Sequence, residues 1–236
     1  MKTIFLFLVL VVAAAFAGQY DLLICHCDPG STSGVEANIG GNPDFGIVTL
    51  LDCTTTTPSV GTMLDYGCVF TWSNYAYDDP TGMGNNLADY MDLGGGVVSC
   101  CFAHYTSDGW GLGGLYASGA AYCPLTRGGN NNSYTSLGDY DPHPIMDDVS
   151  YIPGIYYWQS VAKESPATWI ADLANGTDMV AINADENAVG VNLFPGDDHQ
   201  WSGDGWVLLN NAIMYMMENS NVAVVETTWG AIKAEF

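Results

Sequence analysis

The run Asp89-Tyr90-Met91-Asp92-Leu93-Gly94-Gly95-Gly96-Val97-Val98-Ser99-Cys100-Cys101-Phe102-Ala103-His104 constrains this chain more than any other. Leu87, Tyr90 and Met91 recur at i, i+3 and i+4, the spacing of a helix with one apolar stripe. Three glycines stop that helix. Residues 97–101 are then almost wholly apolar, as expected of a strand buried on both faces. A helix, a glycine stop and a buried strand require a sheet with helices packed against it. Past the strand come two thiols and an imidazole. In an open α/β sheet, ligands and nucleophiles gather at the carboxyl ends of strands.

The rest of the N-terminal half repeats this grammar. Residues 20–27 form a short apolar run closed by the turn Asp28-Pro29-Gly30, and 47–53 read as a second strand. Pro58 introduces a short helix over 60–64, with proline in its first turn. Residues 68–72 read as a third strand, Asp79-Pro80 opens a helix at about 83–93, and 97–101 is the fourth strand. The expected fold class is α/β: a flavodoxin-like, doubly wound, mostly parallel sheet with helices on both faces. Residues 106–140 dissolve into Gly, Ser, Asn and Tyr and read as a long functional loop or insertion. Three short strands follow at 168–173, 179–183 and 189–194, the first two joined by an Asn175-Gly176 hairpin turn. A helix over 205–217 closes the core.

The two ends read differently. Lys2 is followed by an apolar stretch to Phe16 and an Ala15-Phe16-Ala17 cleavage signal. The stretch is too short to span a membrane, so residues 1–17 read as a secretory signal peptide. Residues 18–219 are expected to form one α/β domain, and 220–236 a C-terminal appendage, either a terminal strand or an attachment signal. The expected location is secreted, extracellular or at the cell surface. Four Lys and Arg stand against 26 Asp and Glu, a net charge of −22. Binding nucleic acid or an anionic membrane requires clustered basic residues, so neither is expected as a partner. Seven cysteines leave at least one thiol unpaired or intermolecular.

From Leu87 to Ala103 the chain resembles the trehalose-utilisation (ThuA-like) branch of the class I glutamine amidotransferase-like superfamily. In that branch a helix leads into GGG, an apolar strand and a histidine. Here the glycines are Gly94 to Gly96, and Cys101 falls on the position of that histidine. Trp110, Leu112 and Gly113-Gly114 resemble the family's W…L-x-G-G element. His143-Pro144-Ile145-Met146 resembles its HPI segment, and residues 191–199 and 206–215 its late strand and closing helix. The resemblance covers residues 20–217. It implies the fold above and, in the amidotransferases proper, a nucleophile elbow after the fourth strand with a later H-x-E.

Ser99-x-Cys101-x-Ala103 keeps small residues two positions either side of the thiol, which a sharp nucleophile turn requires. His199 follows the late strand as candidate base, with Trp201 where the resemblance expects Glu. Two functions follow. The leading one is a non-catalytic extracellular or surface-associated module binding a small molecule or carbohydrate. Its candidate ligand residues are Asp28, His104, Trp110 and Trp201, since aromatic faces beside Asp and Asn hold such ligands. The alternative is a hydrolase with Cys101 as nucleophile and His199 as base. No cofactor is expected. Cys25-His26-Cys27, Cys53 and Cys100-Cys101 lie near strand ends as candidate soft-metal ligands or partners in disulfides. Short acidic clusters such as Asp197-Asp198 are candidate calcium ligands or solvated loops.

Overall fold

A computed structural model describes residues 20–107 and 109–220. The N-terminal segment 1–17 and most of the tail lie outside the described residues. The first half alternates strand and helix. β1 (Leu22–Cys27), α1 (Ser33–Asn38), β2 (Val48–Asp52), α2 (Val60–Met63), β3 (Cys68–Ser73), α3 (Pro80–Asp92) and β4 (Gly96–Cys100) follow in order. The second half is β5 (Asn130–Tyr140), β6 (Pro153–Gln159), β7 (Thr168–Leu173), β8 (Asp178–Ile182), β9 (Ala188–Val191) and α4 (Gly205–Asn219).

All nine strands join one sheet in the order β2-β1-β3-β4-β9-β8-β7-β5-β6. The first five places follow the flavodoxin-like order, with the late strand β9 in the fifth. β1 pairs in parallel with β2 and β3, β3 with β4, and β4 with β9. The remaining four pairings, β9 to β8, β8 to β7, β7 to β5 and β5 to β6, are antiparallel. The expectation of a mostly parallel sheet therefore holds for one half. The other half includes β5, which lies inside the stretch read as a loop, and β6, which went unread.

Alternation along the parallel strands divides the core in two. Leu22, Ile24, Phe70 and Val98 pack with Val35 of α1 and with Leu209, Ile213 and Met216 of α4. Leu23, Cys25, Val69 and Val97 pack with Met63 of α2 and with Met83, Leu87 and Tyr90 of α3. α3 begins as its sequence dictates: Asp79 accepts the Gly82 N–H at 2.8 Å and Pro80 opens the first turn. It ends because Gly94 takes a positive φ of 94°. Gly95 then lies against the Tyr90 ring, where a Cβ would collide with it. Among the described residues no helix is long and apolar enough to cross a membrane.

Candidate functional site

The chain connection reverses direction between β1 and β3, so the crevice above their carboxyl ends is the switch point where open α/β sheets take ligands. Asp28 follows β1, Trp72 and Ser73 end β3, and Asn74 follows it. Asp28 is 1% exposed. Its Oδ1 accepts from Asn74 Nδ2 at 3.1 Å. Its Oδ2 is buried without a hydrogen-bond partner, and so is Trp72 Nε1. The indole is near enough to favour the ionised carboxylate, yet no hydrogen bond of regular geometry closes between them. Burial raises the Asp28 pKa, Asn74 and Trp72 oppose that rise, and Asp198 and Asp197 add to it. His26 stacks on Trp72 with centroids 5.6 Å apart, and its Nδ1 accepts the Asp28 N–H at 3.4 Å. Accepting there requires a neutral ring, and burial lowers the His26 pKa accordingly.

The turn after β9 roofs this crevice. A Cβ on Gly196 would collide with Asp28 Oδ2 and the Phe194 ring. Asp197 reaches across to α1, accepting from Gly34 N–H at 2.7 Å and from Ser33 Oγ at 2.7 Å. These bonds, outweighing its partial burial, hold the Asp197 pKa below the usual carboxylate value.

Beside the crevice stands an aromatic wall centred on Phe102. Its ring lies 6.0 Å from Trp110, 6.0 Å from Tyr105, 5.9 Å from Tyr157 and 5.5 Å from Phe194. Trp110 in turn meets Tyr75, 54% exposed, at 6.2 Å. Ser73 ties wall to crevice: its Oγ donates to the Trp110 carbonyl at 2.7 Å, and its own carbonyl accepts the Phe102 N–H at 3.1 Å.

Cys101 sits behind this wall, fully buried. Its Sγ lies 3.2 Å from both Gln159 Oε1 and Asn192 Oδ1, so the single S–H proton is shared between two amide oxygens, and burial pushes its pKa up. His199 is engaged elsewhere. Its Nδ1 lies 2.7 Å from the Gly196 carbonyl, and its ring packs tilted against Trp201 with centroids 4.2 Å apart. Cys101 and His199 thus share the carboxyl end of the sheet without sharing a hydrogen bond. Trp201 is a core residue, 5% exposed, whose indole N–H is committed to the Phe194 carbonyl at 2.7 Å.

His104 is buried on the α2/α3 side. Tyr116 Oη donates to Ser99 Oγ at 2.8 Å, and Ser99 Oγ lies 2.8 Å from His104 Nε2. His104 Nδ1 is buried without a hydrogen-bond partner. Burial lowers the His104 pKa to about 4. Of the four candidate ligand residues, Asp28 and Trp110 therefore lie at the crevice and its wall. His104 and Trp201 lie in the core.

Reading the sequence missed Trp72, Asn74, Gln159 and Asn192. Asn74 carried a signal, a polar residue just past a buried strand as Asp28 is. Gln159 carried none, because β6 was unread. No group of three or more His, Cys, Asp or Glu able to hold a metal ion occurs among the described residues. A separate groove of about 400 Å³ runs between α1 and α4, lined by Asn38, Asn42, Trp206 and Asn210.

This fold is shared with solved structures. A protein described as ThuA-like from Bacteroides uniformis superposes with a TM-score of 0.64 at 16% identity, covering 88% of this chain and 95% of that one. A cytoplasmic protein from Salmonella typhimurium superposes with a TM-score of 0.63 at 10% identity, covering 84% and 98%. A protein described as a GMP synthase component from Thermoplasma acidophilum gives 0.56 at 8% identity, covering 84% and 94%. No family model and no curated protein matches the sequence. At these identities the likeness is one of fold.

Proposed function

We propose that this chain is a secreted, diverged ThuA-like domain, doubly wound in the flavodoxin-like manner, that binds a small neutral ligand or carbohydrate without transforming it. The observation that carries this reading is the buried pair at the switch point, Asp28 Oδ2 and Trp72 Nε1, which lie near one another without either closing a hydrogen bond of regular geometry. A buried polar group without a partner is costly, so a complementary group belongs there. One hydroxyl satisfies both, accepting from the indole N–H and donating to the carboxylate. The adjoining Trp110 and Tyr75 faces suit the apolar face of a sugar ring. The turn at 195–199 roofs the carboxylate and is the element that would have to shift for entry. A net charge of −22 disfavours anionic ligands.

The hydrolase reading requires a thiolate assisted by an imidazole. The Cys101 thiol instead has its one proton held between two amide oxygens, which supports the binding reading. The test is calorimetric titration of the purified protein with a panel of neutral mono- and oligosaccharides, together with an esterase and amidase assay. Saccharide binding that weakens tenfold or more in Asp28→Asn and Trp110→Ala, and persists in Cys101→Ser, is the expected result. Hydrolysis abolished by Cys101→Ser would overturn the reading in favour of the enzyme. Secretion has its own test, since N-terminal sequencing of exported protein should begin at Gly18.

A further inference from the structure

Three thiols converge on the α2/α3 side of the sheet. Cys25 and Cys27 alternate with His26 on β1 and so share one face, and Cys53 follows β2 directly. All three belong to the core cluster that contains Met63 and Tyr77, and each is at most 1% exposed. All seven cysteines of the described chain carry free thiols. The parallel ladder fixes which of these three face one another. β1 and β2 run in register through His26 and Asp52, and the Cys53 N–H closes the ladder on the His26 carbonyl at 2.7 Å. The next pair in that register is Cys27 and Cys53.

Neighbouring strands lie roughly 4.8 Å apart, inside the roughly 4.4–6.8 Å between α-carbons that a disulfide spans. Cys25 stands two residues back along the strand. Its α-carbon lies about 8 Å from that of Cys53 on the diagonal, beyond disulfide reach although the two thiols are within hydrogen-bonding reach.

We infer that Cys27 and Cys53 form a disulfide when the chain folds in an oxidising compartment. The supply of oxidant rests on the secretion reading above. The Cys53 thiolate attacks an external disulfide, from an oxidised dithiol oxidoreductase or glutathione disulfide, and displaces one thiolate that takes up a proton. The Cys27 thiolate then attacks the Cys53 sulfur of the mixed disulfide and displaces the second thiol. The external disulfide gains two electrons and the two cysteines lose them. Both residues are buried once folded, so the exchange precedes closure of the core.

The bond has a place to act. β2 is an edge strand, half-buried along its whole length and joined to the sheet only through β1. Cys27 also adjoins Asp28, and its carbonyl accepts the N–H groups of Asn74 and Tyr75 at 2.9 and 2.8 Å. Clamping β2 to β1 there anchors the floor of the switch-point crevice.

The experiment is refolding of the full chain in a glutathione redox buffer, alkylation of free thiols under denaturing conditions, intact mass and peptide mapping. Two of the seven cysteines should escape alkylation, and the map should join Cys27 to Cys53. Reduction should lower the melting temperature by roughly 5 °C or more and leave Cys53→Ser unchanged. Seven free thiols after refolding would overturn the inference, as would a bridge made by Cys25, Cys100 or Cys101 in its place. The peptide map uses unmutated protein and does not depend on the variant folding. A bridge that forms in the buffer but is missing from cell-derived protein counts against secretion and leaves the inference standing.

Discussion

The Cys101 thiol donates to Asn192 Oδ1 at 3.2 Å, and the backbone of Gln159 fixes that amide from both ends. Gln159 N–H donates to Asn192 Oδ1, and Asn192 Nδ2 donates to the Gln159 carbonyl, each at 2.8 Å. The amide cannot turn without breaking both bonds. Its oxygen therefore faces the sulfur, and a thiolate there would meet an oxygen dipole with no proton between them.

Cys101 should accordingly be inert. In native protein, iodoacetamide should modify it no faster than Cys68, which is equally buried. Cys101→Ala should leave Gln159 Oε1 without its donor and destabilise the fold by about 1–3 kcal/mol, read by denaturant unfolding. Rapid selective labelling of Cys101 would contradict this.

His104 should make the protein acid-sensitive. An unfolded histidine titrates near 6.5, whereas the buried ring titrates at about 4. Between these values the unfolded chain binds the extra proton, so stability falls as pH drops from about 6.5 towards 4. The full loss is on the order of 3 kcal/mol for this one group. His104→Gln should flatten that part of the stability profile. Unfolding midpoints of both proteins at pH 7 and pH 4.5 measure the difference, and parallel profiles would refute the assignment.

Asp28 should act in the opposite sense. Its pKa is raised by burial, so the folded state favours the protonated acid, and stability is lost as pH rises through the folded pKa. Asp28→Asn should raise the melting temperature at pH 7 while weakening ligand capture. A variant that melts lower at pH 7 would show that the charge is compensated.

Gly196→Ala should be costly, because Gly196 is buried in the turn after β9. The added methyl would strike Asp28 Oδ2 and the Phe194 ring. Overpacking of this kind costs about 1–3 kcal/mol. Gly176→Ala adds a Cβ that meets nothing within 4 Å, but at a φ of 80°, so it isolates backbone strain from collision. Thermal melts of the two variants separate these causes.

The parallel half of the sheet was legible because strands buried on both faces spell continuous apolar runs, and Pro80 and Gly94 punctuate the helix between them. β5 was not. Its sequence NNNSYTSLGDY is polar, and its residues are half-buried or exposed, so neither a run nor an alternation marks it. Pairing with β6 and β7 decides that it is a strand. β6 opens on Pro153 and Gly154, residues that read as a turn. The site inherited this division. Asp28 was visible at the end of a readable strand, while the partners of Cys101 stood on β6 and just past β9. The spacing around Cys101 suggested a nucleophile because small neighbours suit a tight turn, whether or not the side chain it carries is reactive.

The placement of β9 beside β4 has a consequence for how the molecule is made. Synthesis delivers β1 to β4 first, and β4 then waits with an unpaired edge while all the chain between Cys100 and Ala188 is produced. The antiparallel half consists of strands close in sequence and can assemble early from hairpins, whereas joining β9 to β4 closes a long loop. The nascent protein therefore passes through a stage with an apolar, open strand edge able to pair with another copy. Yield on expression should depend on how quickly the second half arrives, and a strand added in trans against β4 would be the natural route to aggregation.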